Sequence, residues 1–372
     1  MQFNLKVMLL LLTLPFSVFS EEVFSEEVFS EEVFSEGPRK IGVSTALTGN
    51  ASTYGIDIKN ALLFANKKLT GGRYQLIIED DRCSGQGAAT IAHKLINVDR
   101  VKFVLGFACS STVLASAPIY EKAEVIAISA SAAAEAISQA GDFIFRTWPS
   151  DVVTVRLLHN YISSHHKVLG IVSEETEYAQ GLLRSLQEKT RGSHLKLVSE
   201  TFLTNDTGLR SVFEKMRQNK IDGMFLNSQS ERTFLALLKQ LRELGLTVPV
   251  YGVYWPGSPT FLNQAGKLAD GIIYVDAPTV EEVLDPQGKA LYEEFLREYG
   301  PPQYSGILFA TAFESFRAMH SVIESGADPR KHLYTTKFQG LFGEYAFDKN
   351  GDIVGMPMML KRIEGGKIKS LD

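Results

Sequence analysis

The stretch VKFVLGFACSSTVLASAPIYEKAEVIAI, residues 101–128, decides the fold of this chain. Its apolar run 101–105 predicts a strand, residues 113–123 predict a helix, and the run 125–128 predicts a second strand. Two strands joined through a helix form a βαβ unit, in which the strands run parallel. The stretch therefore predicts a parallel sheet that is covered by helices on its faces.

The same alternation continues on both sides, in two successive sets. Further strands are predicted over 41–44, 74–79, 167–172, 196–202, 223–226, 250–254, 271–275 and 357–363, with a strand and turn over 343–352. Helices are predicted over 55–69, 87–98, 151–163, 178–190, 209–218, 232–244, 286–299 and 305–324. A chain of 372 residues exceeds one typical core. The pattern therefore predicts an α/β fold of two Rossmann-like lobes with parallel sheets, joined by a hinge.

Residues 1–20 have the pattern of a secretory signal peptide. Lys6 is the only charge, residues 7–14 are largely apolar, and the small side chains of Val18 and Ser20 suit cleavage before residue 21. The run is too short for a comfortable transmembrane span. We therefore expect a soluble protein in an oxidising compartment, with an uncleaved anchor as the alternative.

An acidic segment, residues 21–36, follows and is built on three copies of Glu-Glu-Val-Phe-Ser. A period of five matches neither a helix nor a strand, so we interpret the segment as a disordered spacer. A docking tag for a basic partner is the alternative. Residues 1–36 hold one Lys and seven Glu, whereas the rest of the chain holds 37 basic and 36 acidic residues. This nearly neutral remainder has no basic stripe and predicts no nucleic-acid partner.

Six short motifs follow one another along the main part of the chain, at 46–55, 79–83, 106–112, 145–151, 178–181 and 347–352. In this order they resemble the type I periplasmic binding proteins, in the leucine/isoleucine/valine-binding branch of ABC-transporter substrate-binding proteins. The resemblance covers about residues 39–365. It implies a Venus-flytrap protein of the periplasm, in which a small molecule binds between two lobes and the hinge closes. A membrane ABC permease then recognises the closed form, and we expect the binding protein to be a monomer.

Within such a fold we expect lobe 1 to comprise residues 39–150 and 278–350, and lobe 2 to comprise residues 151–277 and 351–372. The predicted function is delivery of a small polar organic ligand, an amino acid or a related compound, to an ABC importer. The alternative is a ligand-sensing module of the receptor type, which would be tethered if the signal is not cleaved.

Cys83 and Cys109 are the only two cysteines of the chain. Each follows a predicted strand and precedes a predicted helix. Both therefore fall at the carboxyl ends of neighbouring parallel strands, where open α/β sheets bind their ligands. The two motifs that contain them are bridged in close relatives, so the resemblance implies a disulfide at the edge of the site.

The resemblance also implies ligand-binding residues. They are Tyr54, Ser110, Ser111, Ser129, Ser131, Ala132, Ala133, Tyr178, Gln229 and Tyr254. Ser110 corresponds to the family serine that holds an α-carboxylate, at a helix N-terminus that favours an anion. The alternative is that Ser110 or Ser111 only caps the helix. Tyr54 and Tyr178 correspond to aromatic residues that pack on the ligand, with ordinary half-buried tyrosines as the alternative.

Two departures from the family pattern bear on specificity. Ala133 replaces a threonine that contacts the ligand, and Ser129 or Ser131 is the candidate replacement donor. Tyr254 lies near the position of the glutamate that binds an α-ammonium, and we find no acidic replacement. Because burial of an unpaired ammonium is costly, we expect a less positive ligand: a carboxylic acid, an amide or an aromatic compound. Tyr254 and Trp255 would then supply a stacking wall.

The sequence contains no phosphate loop, no dinucleotide fingerprint in place and no nucleophile elbow. Residues 348–352 imitate the start of a calcium loop, but the glycine falls at position four rather than six. We therefore predict a protein that is not an enzyme and that uses no cofactor and no metal.

Overall fold

The computed structural model describes residues 39–204, 206 and 208–371, so the predicted signal peptide and acidic spacer lie outside the described residues. The strands of the described residues are β1 (Lys40–Thr45), β2 (Gln75–Asp80), β3 (Phe103–Gly106), β4 (Ile126–Ser129), β5 (Ile144–Arg146), β6 (Val168–Glu174), β7 (Lys196–Phe202), β8 (Gly223–Asn227), β9 (Val250–Val253), β10 (Ile273–Asp276), β11 (Phe338–Gly340), β12 (Gly343–Phe347), β13 (Ile353–Val354), β14 (Met359–Glu364) and β15 (Lys367–Ser370).

The α-helices of the same residues are α1 (Ser52–Thr70), α2 (Gly85–Asn97), α3 (Ser110–Lys122), α4 (Asp151–His165), α5 (Glu177–Thr190), α6 (Arg210–Gln218), α7 (Glu231–Glu243), α8 (Pro259–Ala265), α9 (Val280–Val283), α10 (Pro286–Tyr299), α11 (Ile307–Ser325) and α12 (Pro329–Thr335). Short 3₁₀ turns cover Glu135–Gln139, Trp255–Gly257 and Gly266–Ala269. Within this described part, no helix is both long and apolar enough to cross a bilayer.

The first sheet has the strand order β2-β1-β3-β4-β5, and all its strands run parallel. Every residue of β3 and β4 is buried. This explains why their sequences are continuous apolar runs rather than alternating ones, since helices cover both faces of the sheet. The three-residue strand β5 was not predicted, because so short a run gives no periodicity to detect.

The second sheet has the order β15-β14-β10-β9-β8-β6-β7. Strands β6 to β10 are parallel, whereas β14 and β15 run antiparallel. Gly365 and Gly366 turn the chain between these last two strands, with φ values of +59° and +73°. Two consecutive positive φ angles are typical of the tightest hairpin turns, and glycine adopts them without strain. The predicted α/β fold with two largely parallel sheets is confirmed, with this antiparallel hairpin as a local difference.

The chain passes between the two sheets at three places: 147–150, 277–306 and 355–358. The second passage returns the chain to the first sheet, where α11 packs against α1, β3 and β4. Strands β11, β12 and β13 form a small antiparallel sheet beside α12. Strand β13 lies just after the predicted lobe boundary at residue 350, and it pairs with β12. The predicted division into lobes stays a prediction.

A buried arginine ties the end of β5 to the residue before β13. Arg146, the last residue of β5, is inaccessible to solvent, and its Nε donates to Asp352 Oδ1 at 2.7 Å. Its terminal nitrogens donate to the Ala134 carbonyl and to Ser138 Oγ, each at 2.8 Å. Such a guanidinium is stable without water only because its partners satisfy it. The arginine therefore fixes the end of β5 against the loop after β4 and the residue before β13.

Candidate functional site

A small cavity lies between the two sheets, at the carboxyl ends of their parallel strands. The space open to the centre of a water molecule is about 30 Å³, which suffices for roughly two waters. The first-sheet segments after β3, β4 and β5 face the second-sheet segments after β6, β8 and β9 across this space. The lining residues are Tyr54, Ala108, Cys109, Ser110, Ser131, Ala132, Ala133, Trp148, Tyr178, Gln229, Tyr254, Trp255 and Tyr304.

The structure brings most of the predicted ligand-binding residues together in this cavity. Those that line it are Tyr54, Ser110, Ser131, Ala132, Ala133, Tyr178, Gln229 and Tyr254. They come from six separate parts of the sequence, and their convergence follows from the parallel topology, which aligns equivalent strand ends. Their role in binding stays a prediction.

Ser111 and Ser129 do not line the cavity, and their hydroxyls have structural partners. Ser111 Oγ donates to the Cys83 carbonyl at 3.3 Å. Ser129 Oγ donates to the Phe107 carbonyl at 3.1 Å and accepts from the Ala132 N–H at 3.0 Å. Both serines thus shape the loops beside the cavity rather than present a free hydroxyl to it.

Ser110 begins α3 and joins the two loops of the first sheet. Its Oγ accepts a hydrogen bond from the Ala134 N–H at 3.1 Å. A hydroxyl that accepts this bond still has one proton to donate. The N-cap residue of α3 is Cys109, which makes no side-chain cap. The cavity wall therefore combines the Ser110 hydroxyl with the positive end of the α3 dipole, an arrangement that suits an anionic group.

The predicted disulfide between Cys83 and Cys109 is confirmed. The two Cα atoms lie 5.5 Å apart, within the usual range for a bridge. Cys109 lines the cavity, and Cys83 follows β2 in the turn before α2. The bridge therefore fixes the wall that Ser110 continues.

Aromatic rings from both sides meet across the cavity. The ring of Tyr54, from α1, lies 5.4 Å from that of Trp255, which follows β9. The Trp255 ring lies 6.4 Å from that of Tyr178 at the start of α5. The Trp255 indole N–H donates to the Ser228 carbonyl at 2.6 Å, which holds the ring in place. Contacts at these distances are typical of aromatic packing, so the rings form a continuous apolar part of the cavity lining.

Tyr304 is a cavity residue that the sequence analysis missed. Its ring meets that of Tyr54 edge to face at 4.4 Å. The carboxylate of Asp57, in α1, holds the loop by accepting from the Gln303 and Tyr304 N–H groups, each at 2.8 Å. Burial raises the pKa of Asp57 to about 6 against the effect of these bonds. Asp57 and Tyr304 are 247 positions apart, and no local pattern links them.

Asp151, which contacts the lining residue Tyr254, is another residue that the sequence did not indicate as part of the site. The Tyr254 hydroxyl donates to Asp151 Oδ1 at 2.6 Å and lies 3.0 Å from Thr154 Oγ1. Burial raises the pKa of the Asp151 carboxyl to about 6. Sequence patterns indicated Asp151 as a helix start and as the end of the motif 145–151, with Ser150 or Asp151 as the cap; the cap is Ser150, which accepts from the Val152 N–H. A carboxylate therefore does lie beside Tyr254, but it comes from another segment.

Two more carboxylates, those of Glu174 and Glu231, lie next to the cavity lining on the second-sheet side. Glu174, at the end of β6, is buried, and its Oε2 accepts from the Gln229 N–H at 2.6 Å. Glu231 begins α7 and accepts from Ser258 Oγ at 2.5 Å. Burial raises the pKa of Tyr54 well above its usual value, and the charges of both glutamates raise it further. The cavity is therefore surrounded by aromatic surface and negative charge on this side.

In the described ranges, no group of three or more His, Cys, Asp or Glu side chains is arranged to hold a metal ion. The residues 348–352 that imitate a calcium loop form a turn instead. Asp348 Oδ1 accepts from the Asn350 and Asp352 N–H groups at 2.8 and 3.0 Å.

Comparisons with known proteins agree with this geometry. The family model described as periplasmic binding protein matches residues 38–367. The leucine-, isoleucine-, valine-, threonine- and alanine-binding protein of Pseudomonas aeruginosa is 26% identical over 329 residues, covering 84% of this chain and 87% of that protein. The Leu/Ile/Val-binding protein of Escherichia coli is 23% identical over 329 residues, covering 85% and 88%.

Solved structures share the fold at lower identity. A leucine-binding protein from Thermotoga maritima superposes with a TM-score of 0.80 at 19% identity, covering 90% of this chain and 98% of that one. A solute-binding protein from R. palustris in complex with benzoate gives a TM-score of 0.79 at 18% identity, covering 90% and 96%. The chain therefore belongs to the periplasmic binding protein family, type I, in the branch of Leu/Ile/Val-binding proteins, which bind solutes and are not enzymes.

Proposed function

We propose that this protein is an extracytoplasmic solute-binding protein, which delivers a small organic ligand to a membrane ABC importer by closing around it. The ligand is an amino acid or a related compound. The relatives named above bind amino acids or, in one solved structure, benzoate. All of these molecules carry a carboxylate, the group that the Ser110 side of the cavity suits.

The single observation that carries the proposal is the enclosure of the cavity between both sheets. Tyr54, Tyr178 and Tyr254 line it, yet their exposed fractions are only 3%, 5% and 4%. A space that suffices for roughly two waters cannot hold an amino acid unless the two sides separate. Opening and closing at the three passages between the sheets supplies that motion. The ligand then stabilises the closed form by binding it better than the open form.

The test is a ligand screen of the full chain, exported and purified in its oxidised form. Amino acids, their keto-acid and amide analogues and small aromatic acids are added in turn, and thermal unfolding is followed. A ligand at about 1,000 times its Kd stabilises the folded state by about 4 kcal/mol, which raises the Tm by several degrees. Small-angle scattering of the same samples should show a smaller radius of gyration with the ligand than without it.

A compound that raises the Tm but leaves the radius of gyration unchanged would contradict closure while retaining solute binding. Turnover of any of these compounds at an enzyme-like rate would contradict the function itself. The alternative of a tethered sensor is tested separately. Residence of the intact, uncleaved chain in the membrane fraction would favour it, and a soluble chain that begins near residue 21 would favour transport.

A further inference from the structure

The repeated part of the chain starts earlier than the acidic spacer. In the phase Val-Phe-Ser-Glu, the unit occurs four times, at 18–21, 23–26, 28–31 and 33–36. The first copy contains the predicted end of the signal peptide, because Val18 and Ser20 are the small residues that suit cleavage before residue 21. The spacer and the predicted cleavage site are therefore built from one repeating element.

Each later copy repeats the residues that removal of a signal peptide requires. The peptidase recognises small side chains at the first and third positions before the bond that it cuts. Ser and Val occupy these two positions before the bonds 25–26, 30–31 and 35–36, as they do before the bond 20–21. In all four copies Phe lies between them and Glu follows the bond. The four bonds are therefore equivalent in their nearest residues.

The four bonds differ in their distance from the apolar run 7–14. Six residues, 15–20, separate the first bond from this run, and none of them is charged. Each later bond has one more Glu-Glu pair before it, and carboxylates are costly within a bilayer. Five residues of chain can also place a bond up to about 18 Å farther from the run. Because a signal peptide is cut close to its apolar run, the first bond is preferred and the later ones follow in order.

The fold sets the limit of this series of bonds. The Arg39 carbonyl accepts from the Gln75 N–H at 3.0 Å, and β1 begins at the next residue. Strand β1 pairs with both β2 and β3, and its last five residues are buried. The fourth bond leaves three residues, 36–38, before Arg39, whereas a fifth copy would place its bond at 40–41, within β1. A cut at any of the four bonds therefore leaves the whole described fold on the mature chain.

We propose that residues 18–36 hold four interchangeable cleavage sites for the signal peptidase, and that a chain blocked at one bond is cut at the next. In each case water adds across the Ser–Glu peptide bond. The serine carboxylate stays with the removed peptide, and the glutamate amine becomes the new N-terminus. The mature chain begins at residue 21, 26, 31 or 36, and it keeps seven, five, three or one of the spacer's glutamates. The inference rests on the export part of the proposed function, because only an exported chain meets this peptidase.

The test is the N-terminal sequence and the intact mass of the full chain after export from a bacterial host. The wild type should begin at Glu21. Ser20→Phe places a large side chain directly before the first bond, so this variant should begin at Glu26, a shift of five residues. Ser20→Phe/Ser25→Phe should begin at Glu31 for the same reason. With the serine of all four copies replaced by phenylalanine, the uncleaved chain should stay in the membrane fraction.

Ser17→Phe is the matched control. It makes the same substitution three residues earlier, at a position for which the peptidase has no size requirement. This variant should begin at Glu21, as the wild type does. All mature forms should unfold at the same Tm, since none of them loses a residue of the described fold.

Three results for Ser20→Phe would overturn the inference and leave the proposed function standing. They are a chain that stays uncleaved, a chain that still begins at Glu21, and a chain cut at a bond outside the four. An exported wild type that begins at none of the four glutamates would overturn it as well. A wild type that stays uncleaved in the membrane fraction would count against both the inference and the transport role.

Discussion

The two walls of the cavity are built in opposite ways. The first wall is made of the loops after β3 and β4, whose small residues are held by backbone bonds and a disulfide, and α1 adds the ring of Tyr54 on that side. The small residues are Ala108, Cys109, Ser110, Ser131, Ala132 and Ala133. The second wall consists of larger side chains backed by carboxylates: Tyr178, Gln229, Tyr254 and Trp255. A wall made of backbone and small residues can bind only a feature common to many ligands, such as a carboxylate. A wall made of rings and charges depends on each side chain, so it sets which ligand binds.

The largest expected effect comes from breaking the buried ion pair at the end of β5, which supports the first wall from behind. Arg146→Met leaves the carboxylate of Asp352 without its partner, and such a change in a buried pair typically costs about 3–5 kcal/mol of unfolding free energy. Urea unfolding measures it. Because the second change removes the stranded charge, the double variant Arg146→Met/Asp352→Asn should recover part of the loss. Losses that simply add would show that the two residues do not act as a pair.

The next effect concerns the first wall alone. Cys83→Ser opens a disulfide that spans 26 positions, and the chain-entropy argument gives a loss of about 3.5 kcal/mol. Thermal unfolding of the variant should match that of the reduced wild type. Oxidised and reduced wild type that melt at the same temperature would show that this bridge does not stabilise the wall.

The third prediction concerns how the unfolding free energy depends on pH through two buried acids, Asp81 after β2 and Asp151 at the start of α4. Burial raises the pKa of Asp81 and of Asp151 to about 6, above the unfolded value near 3.9. The folded state therefore binds more protons than the unfolded state between these values. Each residue contributes stability that is fully present below about pH 4 and is lost as the pH rises through 6, by about 2–3 kcal/mol.

Urea unfolding of the ligand-free protein from pH 4 to 6.5 measures this slope. The unfolding free energy of Asp151→Asn should fall less steeply as the pH rises than that of the wild type. The same shallower slope is expected for Asp81→Asn. A slope that neither variant changes would assign the pH dependence to other groups.

The smallest expected effect is indirect. Asp57→Asn retains one acceptor oxygen but loses the charge that holds the Gln303 and Tyr304 N–H groups. One weakened hydrogen bond is worth about 1 kcal/mol, so ligand affinity should fall about 5-fold as the Tyr304 ring loosens. Calorimetry measures the ligand affinity of Asp57→Asn, of Tyr304→Ala and of the double variant, each against the wild type. If Asp57 acts through Tyr304, the first change has no further effect once the ring is absent.

The sequence predicted the first wall better than the second, for a physical reason. The first-wall segments follow buried parallel strands directly, so apolar runs locate them and the topology aligns them. Tyr304 and Asp151 reach the cavity through contacts with residues more than 100 positions away, which no local pattern records. Ser111 and Ser129 were placed in the right loops, but whether a hydroxyl faces the cavity or a carbonyl is decided by tertiary packing.

The return of the chain to the first sheet has a consequence for the order of assembly. Helix α11 packs on α1 and covers strands that were made some 200 residues earlier. The first sheet is therefore begun first during synthesis but receives its last covering helix, α11, only after all the parallel strands of the second sheet have been made. Long loops must close before these contacts form, which slows folding. A chain that stops after residue 300 would have a finished second sheet, except for its hairpin, and a first sheet on which α1 lacks its partner helix α11.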